Sequence, residues 1–320
     1  MKNQQINMHL ACIFPGQGSQ SVGMLVELAS AFPLIREVFA RASAVLGYDL
    51  WQLVSEGPEA ELNQTDKTQP AMLAAGVAVW RLWQESGGSV PAVMAGHSLG
   101  EYTALVCAGA LSYEDAIRVV AERGHAMQEA VPAGEGAMAA ILGLEDGVVR
   151  TVCSQVAQQE VVAAVNFNSP GQVVIAGAAT AVARAIEAAK AAGARRAILL
   201  PVSVPSHCLL MKPAAEHMAR LLETIEIIPP SIPVINNVDV KAETTPERIR
   251  QALVSQLYSP VRWVETIRAI QSRGVRLVLE CGPGKVLAGL NRRIDRQLNT
   301  LPVFDEVGLR QALDAVKNES

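Results

Sequence analysis

The sequence predicts an α/β protein whose main domain is built on a parallel sheet and carries an inserted, smaller α+β subdomain. Strands and helices alternate along the first part of the chain, which is typical of a parallel sheet with helices on both faces. Residues 132–202 instead follow the order β-α-β-β-α-β, the ferredoxin-like pattern. Half of the 320 residues are hydrophobic and 18% are charged, so the chain can bury a large core. We expect a main domain of residues 1–131 and 203–320 and a subdomain of residues 132–202.

The predicted elements are short apolar runs and the longer helical segments between them. Ser112, with Asp115 three residues later, forms a capping box that begins one helix. In the main domain the predicted strands are residues 11–14, 90–95, 233–236 and 275–280, and the predicted helices are residues 72–83, 101–108, 112–130 and 212–222. In the subdomain the predicted strands are residues 137–142, 161–166, 172–176 and 196–200, and the predicted helices are residues 146–158 and 180–192. We expect the substrate pocket in the cleft between the two parts.

Composition and charge exclude several classes of function. A net charge of −4 argues against the electrostatic grip on phosphates that nucleic-acid-binding proteins use. No apolar run approaches the roughly 20 residues that cross a bilayer, and the polar N-terminus is too short for a signal peptide, so we expect a cytoplasmic protein that does not bind membranes. Five scattered cysteines without a C-x-x-C pair indicate reduced thiols. No cluster of side chains has metal-ligand spacing, so we expect no metal.

The strongest chemical signal is the segment Gly96-His97-Ser98-Leu99-Gly100, a G-x-S-x-G between a predicted strand and a predicted helix. Such a tight turn leaves no room for a Cβ at either glycine, and it exposes the serine hydroxyl at the carboxyl end of the strand. A glycine-rich turn can arise by chance, but the strand before it and the helix after it favour Ser98 as a nucleophile. The backbone N–H of Leu99, at the helix N-terminus, can stabilise an oxyanion.

A serine nucleophile needs a base, and the chain offers five histidines. His9 precedes the predicted elements, and we expect the tight turn to direct His97 away from the nucleophile. His125 and His217 lie on predicted helices among charged residues. His207 follows a strand and precedes a helix, which is where α/β folds place site residues. A single histidine is often structural, so His207 is favoured as the base by elimination.

Arg123 lies in the apolar stripe of its predicted helix, where a charge is costly unless it is paired. The other members of the stripe recur at helical spacing and are Ala116, Val119, Val120, Met127 and Ala130. The partner could be a carboxylate of the protein, which would make the pair structural. It could instead be a carboxylate of the substrate, held by two parallel hydrogen bonds. The second alternative predicts a serine enzyme that acts on an acyl group ending in an acid.

Two further features separate the sequence from ordinary α/β-hydrolases. Those place an acid and then a histidine near the C-terminus, whereas more than a hundred residues follow His207 and no Asp or Glu stands out as its partner. We therefore expect a backbone carbonyl to orient His207. Residues 14–20 are rich in glycine, but the sixth position of the phosphate-binding pattern G-x-G-x-x-G is Ser21. We favour a tight turn that brings the Gln17 N–H towards Ser98 as a second oxyanion donor.

Five short segments carry a resemblance to a known family. They are residues 14–20 (FPGQGSQ), 96–102 (GHSLGEY), 166–172 (NFNSPGQ), 205–208 (PSHC) and 282–285 (GPGK). Together, in order and over nearly the whole chain, they resemble the bacterial malonyl-CoA:acyl-carrier-protein transacylases. The resemblance implies a hydrolase-like main domain with a ferredoxin-like subdomain. It also implies transfer of a malonyl group from malonyl-CoA to the phosphopantetheine thiol of holo acyl carrier protein, through an ester on Ser98, in fatty-acid or polyketide synthesis.

The resemblance further implies roles for individual residues. Ser98 would be the nucleophile, His207 the base and Arg123 the ligand of the malonyl carboxylate, with the two backbone N–H groups described above as the oxyanion hole. It adds Gln256, whose backbone carbonyl would orient the histidine. Coenzyme A thioester and phosphopantetheine would be substrates, so no cofactor is implied. A hydrolase of carrier-protein thioesters and a non-catalytic carrier-binding module stay open as alternatives.

Because the carrier protein is expected to be acidic, basic clusters are candidate docking sites. The candidates are Lys285, Arg292, Arg293 and Arg296, or alternatively Arg195 and Arg196. Runs of this kind also occur as solvated helix faces. Double charge reversal at Arg292 and Arg293 should raise the KM for the carrier protein only.

Overall fold

Two separate sheets organise the computed structural model, which describes residues 6–202 and 204–318. The strands of these residues are β1 (Ile6–Phe14), β2 (Val90–Gly96), β3 (Gly136–Leu142), β4 (Val162–Ser169), β5 (Gln172–Ala178), β6 (Arg196–Leu199), β7 (Val234–Ile235), β8 (Leu277–Cys281) and β9 (Asn299–Val303). The helices are α1 (Val26–Ala31), α2 (Pro33–Leu46), α3 (Leu50–Glu56), α4 (Glu59–Leu62), α5 (Thr65–Glu85), α6 (Gly100–Cys107), α7 (Tyr113–Glu129), α8 (Asp146–Val156), α9 (Ala179–Ala191), α10 (Lys212–Glu223), α11 (Pro246–Gln256), α12 (Trp263–Gln271), α13 (Val286–Ile294) and α14 (Glu306–Asn318). A 3-10 turn at Leu209–Met211 precedes α10.

The main sheet is parallel, with the strand order β7-β2-β1-β8-β9. Successive residues of β1 point to opposite faces, so Leu10, Cys12 and Phe14 enter one apolar core and Ala11 and Ile13 enter another. Both faces are thus buried, as the alternation of strands and helices predicted, because a parallel sheet is normally covered on both sides. The carboxyl ends of β1 and β2 pair at one edge of the sheet, and the turns that follow them build the candidate site.

The second sheet is antiparallel, with the strand order β4-β5-β3-β6. Its chain order β3-α8-β4-β5-α9-β6 is the predicted ferredoxin-like pattern. One face packs against α8 and α9, and the other carries Met138 and Val174. Two backbone hydrogen bonds join this sheet to the main domain: Val261 N–H donates to Val165 O (2.8 Å) and Phe167 N–H donates to Val261 O (3.0 Å).

The predicted elements are all present, mostly with bounds that differ by a few residues. The largest difference is α5, which begins at Thr65 although Pro70 argues against a helix interior. Helices α1–α4 and α11–α14 and strand β9 were not assigned from the sequence.

We propose to keep the domain division at 131/132 and 202/203, because the chain changes sheets after α7 and after β6. Residues 1–5, 203 and 319–320 of those domains lie outside the described residues. Within the described ranges, no helix combines the length and the apolar content that crossing a bilayer requires.

Candidate active site

Ser98 lies at the turn between β2 and α6, and both flanking glycines are needed there. The Ser98 backbone has φ 51°, the left-handed region that residues with side chains rarely adopt. A Cβ on Gly96 would overlap the backbone of Gly100, and a Cβ on Gly100 would overlap the carbonyl of Phe14. This confirms the prediction that a side chain at either glycine would clash. The turn holds the Ser98 hydroxyl at the carboxyl edge of the main sheet.

His207 is the histidine that contacts the Ser98 hydroxyl. Ser98 Oγ lies 2.8 Å from His207 Nε2, and His207 Nδ1 lies 2.7 Å from the backbone oxygen of Gln256. Because a carbonyl oxygen can only accept, Nδ1 carries the proton and Nε2 is left to accept one from the hydroxyl. A backbone carbonyl thus fixes the tautomer of His207, without a carboxylate.

Burial and a neighbouring cation keep the imidazole neutral. Desolvation, followed by the charge of Arg123, lowers the pKa of His207 to about 3, against the opposing effect of the hydrogen bond to Gln256. His207 is therefore unprotonated at neutral pH and able to accept a proton. Because the Arg123 charge contributes to this shift, an anion bound to Arg123 would raise the pKa of His207 and make it a stronger base.

Arg123 reaches the site from the buried face of α7 and is 1% exposed. Its Nη1 donates to Gln69 Oε1 (2.8 Å), and its Nη2 donates to Gln256 Oε1 (3.0 Å) and to Ser98 Oγ over a longer 3.3 Å. None of the ion pairs of the described residues includes Arg123, and its Nε has no partner there. The guanidinium is held by neutral amides and keeps N–H donors for an incoming anion.

Two backbone N–H groups beside Ser98 are free to bind an oxyanion. In the part of the chain that the structure describes, the N–H groups of Gln17 and Leu99 have no acceptor, and both residues line the cavity that contains Ser98. The loop that carries Gln17 approaches the turn closely because Gly16 has no side chain; a Cβ there would meet the carbonyl of His97. Such N–H groups can stabilise the charge that develops on a carbonyl oxygen under attack.

The cavity has a volume of about 220 Å³ and lies between the two sheets, as expected from the predicted cleft. Ser98, His207 and Arg123 form its polar side, and its apolar wall includes Met138 and Val174 from the small sheet. Across the described ranges, no group of three or more His, Cys, Asp or Glu side chains is placed to hold a metal ion. The arrangement of a serine, a neutral histidine, free N–H groups and a buried cation suits acyl transfer from an acid-bearing thioester.

His97 also lines the cavity, which differs from the expectation that the tight turn directs it away from the nucleophile. Its Nε2 lies 2.8 Å from Asn168 Oδ1, and its ring centre lies 5.5 Å from that of Trp263. The sequence could not show this, because the contact with Asn168 depends on where β4 sits over the main domain. The remaining three histidines do not line the cavity.

Three buried polar residues beside the site are not predicted from the sequence: Gln69, Glu101 and Asn237. Asn237 Oδ1 accepts from the Ser98 N–H (2.7 Å), and its Nδ2 donates to the carbonyl of Gly96 (2.7 Å), so it bridges both sides of the turn. Gln69 could have been found as a polar residue in an apolar helical segment. Asn237 gave no local signal, since its contact with Ser98 joins positions 139 residues apart.

A comparison with known protein families matches residues 11–311 to the acyl transferase domain. The chain belongs to the acyl transferase family. This acyl transferase is 57% identical, over 303 residues, to the malonyl CoA-acyl carrier protein transacylase of Salmonella typhimurium, with 95% of this chain and 98% of the relative covered. The protein of the same name from Haemophilus influenzae is 59% identical over 296 residues, with 92% and 95% covered.

Solved structures share the fold of this acyl transferase. An acyl carrier protein S-malonyltransferase from Vibrio cholerae is similar with a TM-score of 0.93 and 58% identity, covering 95% of this chain and 99% of that chain. A second solved structure is of a type II polyketide synthase acyl-carrier protein in complex with its malonyl-transacylase. A chain of that structure is similar with a TM-score of 0.95 and 59% identity, covering 96% of this chain and 99% of that chain. The predicted fold class, a parallel-sheet main domain with an inserted antiparallel subdomain, is confirmed.

The basic side chains of this acyl transferase that were singled out in the sequence divide between two open clefts. Arg195, Arg196 and Arg293 line the first cleft, and Lys285, Arg292 and Arg296 line the second. The first cleft also includes residues 169–172, where Gln172 Oε1 accepts a hydrogen bond from Arg293. Arg292 and Arg293 are therefore neighbours in sequence that face different clefts.

Proposed function

We propose that this acyl transferase moves a malonyl group from malonyl-CoA to the phosphopantetheine thiol of an acyl carrier protein, through an ester on Ser98. The observation that carries the proposal is Arg123, a buried cation that makes no direct pair with a carboxylate among the described residues. Its Nη2 lies 3.3 Å from the Ser98 hydroxyl. The high identity to the malonyl transacylases named above supports the same substrates. The chemistry needs only side chains, backbone N–H groups and the two thiols, so no cofactor is part of the proposal.

The first half-reaction forms the acyl-enzyme. His207 takes the Ser98 proton as Oγ attacks the thioester carbonyl, and the N–H groups of Gln17 and Leu99 bind the oxyanion. Each donor of this kind typically contributes about 2.7–4 kcal/mol. The carbon–sulfur bond then breaks, and the coenzyme A sulfur takes the proton from His207. Malonyl-Ser98 remains.

The second half-reaction reverses these steps with a new thiol. The carrier-protein thiol gives its proton to His207 as its sulfur attacks the ester carbonyl, and Ser98 recovers the proton when the ester bond breaks. Since one product leaves before the second substrate reacts, the kinetics should be ping-pong.

Selectivity for an acidic acyl group follows from the donors of Arg123. Nη1 has one hydrogen left after its bond to Gln69, and one Nη2 hydrogen makes only the long bond to Ser98. These two hydrogens can bind a carboxylate in the bidentate manner that arginine favours. An acetyl group would leave the guanidinium without a carboxylate to bind, so it is disfavoured by the missing charge pair and not by size alone.

Intact-mass spectrometry after brief exposure to malonyl-CoA tests the proposal. The unmodified protein should gain the mass of one malonyl group, and the Ser98→Ala variant should gain none. Holo carrier protein should then remove the group and gain the same mass. If the unmodified protein shows no adduct, the proposal is wrong. An adduct that water removes as fast as the carrier protein does would favour the hydrolase alternative.

We also propose that the carrier protein docks at the first cleft, lined by Arg195, Arg196 and Arg293. Strand β4 connects this cleft to the catalytic cavity: Asn168 lines the cavity, and the adjacent Ser169 lines the cleft. An acidic partner bound there would be attracted by three exposed guanidinium groups and would lie next to the end of β4, whose residue Asn168 lines the Ser98 cavity.

A further inference from the structure

Glu101 is a buried carboxylate beside the site that the proposed reaction does not use. It is the second residue of α6 and is 2% exposed. Its Oε2 accepts hydrogen bonds from Gln256 Nε2 (2.8 Å) and from the backbone N–H of Asn237 (2.9 Å). None of the ion pairs found among residues 6–202 and 204–318 includes it. A buried carboxylate with only neutral direct partners is costly unless a charge nearby compensates it.

The compensating charge is Arg123, which one amide separates from Glu101. Gln256 Oε1 accepts from Arg123 Nη2 at 3.0 Å, and Gln256 Nε2 donates to Glu101 Oε2. The same Nε2 also lies 3.1 Å from the carbonyl oxygen of Ser98. The Gln256 side chain therefore links a buried anion and a buried cation, and each polarises the amide in favour of the other.

We propose that Glu101 is a positioning residue that balances the charge of Arg123 in the empty site and takes up a proton when an acyl group bearing a carboxylate binds. This inference rests on the proposed function. When a substrate carboxylate pairs with Arg123, two anions would share one cation inside the protein. Since like charges raise the pKa of a carboxyl group, the proton goes to the anion that is not in direct contact with the guanidinium.

The local geometry allows Glu101 to hold this proton. Both N–H donors bond Oε2, so Oε1 can carry a proton without loss of either bond. Burial raises the pKa of Glu101 to about 7, against the opposing effects of the two hydrogen bonds and of the Arg123 charge. An anion that offsets the Arg123 charge removes one of these opposing effects, so the pKa of Glu101 rises on binding.

Glu101 also lines a small cavity that is separate from the Ser98 cavity and that Arg123 does not line. Glu101 and the half-buried Glu243 both line this cavity, which has room for about one water molecule. The other charged or titratable groups that act on Glu101 or surround it are Arg123 on α7, Tyr102 on its own helix and Asp239 after β7. The pKa of Tyr102 is raised to about 12 by burial, so it does not titrate near neutral pH.

Calorimetric titration of the Ser98→Ala variant tests the proposal, because this variant can bind the thioester without reacting. The titration is run at pH 7.5 in two buffers that differ in ionisation enthalpy, with malonyl-CoA and with acetyl-CoA. Both ligands carry the same phosphates, so their difference reports the acyl carboxylate. We expect uptake of a fraction of a proton with malonyl-CoA and less or none with acetyl-CoA. Equal uptake for the two ligands would overturn the inference.

A second variant, Glu101→Gln, tests whether Glu101 is the group that takes up the proton. Glu101→Gln replaces the carboxylate by an amide that can still accept both N–H bonds. In the unmodified enzyme the KM for malonyl-CoA should rise by up to tenfold per pH unit above the pKa of Glu101, because binding then requires a proton from solution. In Glu101→Gln this dependence should be absent, and in the control Glu243→Gln it should persist. A pH dependence that survives in Glu101→Gln rejects Glu101 as the acceptor.

These outcomes are separable from failure of the proposed function. If malonyl-CoA binds and forms the Ser98 ester without proton uptake, only the role of Glu101 is wrong. If no ester forms, both are wrong. If Glu101→Gln does not fold, the comparison of the two thioesters in the Ser98→Ala protein decides the question.

Discussion

Replacing Arg123 by alanine should convert a malonyl-selective enzyme into one that is indifferent to the acyl carboxylate. The guanidinium is 1% exposed, so its bond to a carboxylate belongs to the buried class and not to the surface pairs that contribute about 0–1 kcal/mol. Removal of one partner of a buried pair costs about 3–5 kcal/mol, since the other charge is left unpaired. This corresponds to a loss of roughly a hundred- to several-thousand-fold in kcat/KM for malonyl-CoA.

Acetyl-CoA provides the comparison, because it differs only in the missing carboxylate. Its kcat/KM should change little or rise in Arg123→Ala, since the variant no longer leaves a buried cation unpaired. The matched control is Arg118→Ala, on the same helix, with a side chain 59% exposed and paired to Asp115 at 3.1 Å. Stopped-flow measurement of coenzyme A release gives both constants. An equal loss for the two thioesters would show that Arg123 supports the scaffold and does not read the acyl group.

Two further predictions concern the base and the docking cleft. Inactivation of Ser98 by phenylmethanesulfonyl fluoride should not slow as pH falls from 8 to 5, because burial and the Arg123 charge lower the pKa of His207 to about 3. In Arg123→Ala the pH at which the inactivation rate begins to fall should be higher. A fall in rate near pH 6.5 in both proteins would contradict this assignment. Charge reversal at Arg293 should raise the KM for carrier protein about tenfold and leave the KM for malonyl-CoA unchanged. Charge reversal at Arg292, which faces the other cleft, should change neither KM. The opposite pattern would place the docking site at the second cleft.

Much of the fold and part of the site could be predicted because the signals were local. The order of strands and helices, the capping box at Ser112 and the two clashing glycines of the Ser98 turn all depend on residues that are close in sequence. The geometry also places His207 against Ser98, although that prediction came from elimination among few histidines. The unassigned helices at the start and end of the chain gave weaker local patterns, and Pro70 obscured the true start of α5.

The sequence by itself determined that a serine would be exposed between a strand and a helix. It also determined that Arg123 would lie on the apolar side of its helix and face the protein core. Only the tertiary structure decided what surrounds them. It gave Arg123 neutral amides instead of a carboxylate, brought His97 into the cavity, and separated Arg292 from Arg293. The reason is physical: helical period and turn geometry are set by neighbouring residues, whereas the partner of a buried charge is set by contacts between distant segments. Gln256, which contacts Arg123, Glu101 and the Ser98 carbonyl, lies 133 residues from Arg123.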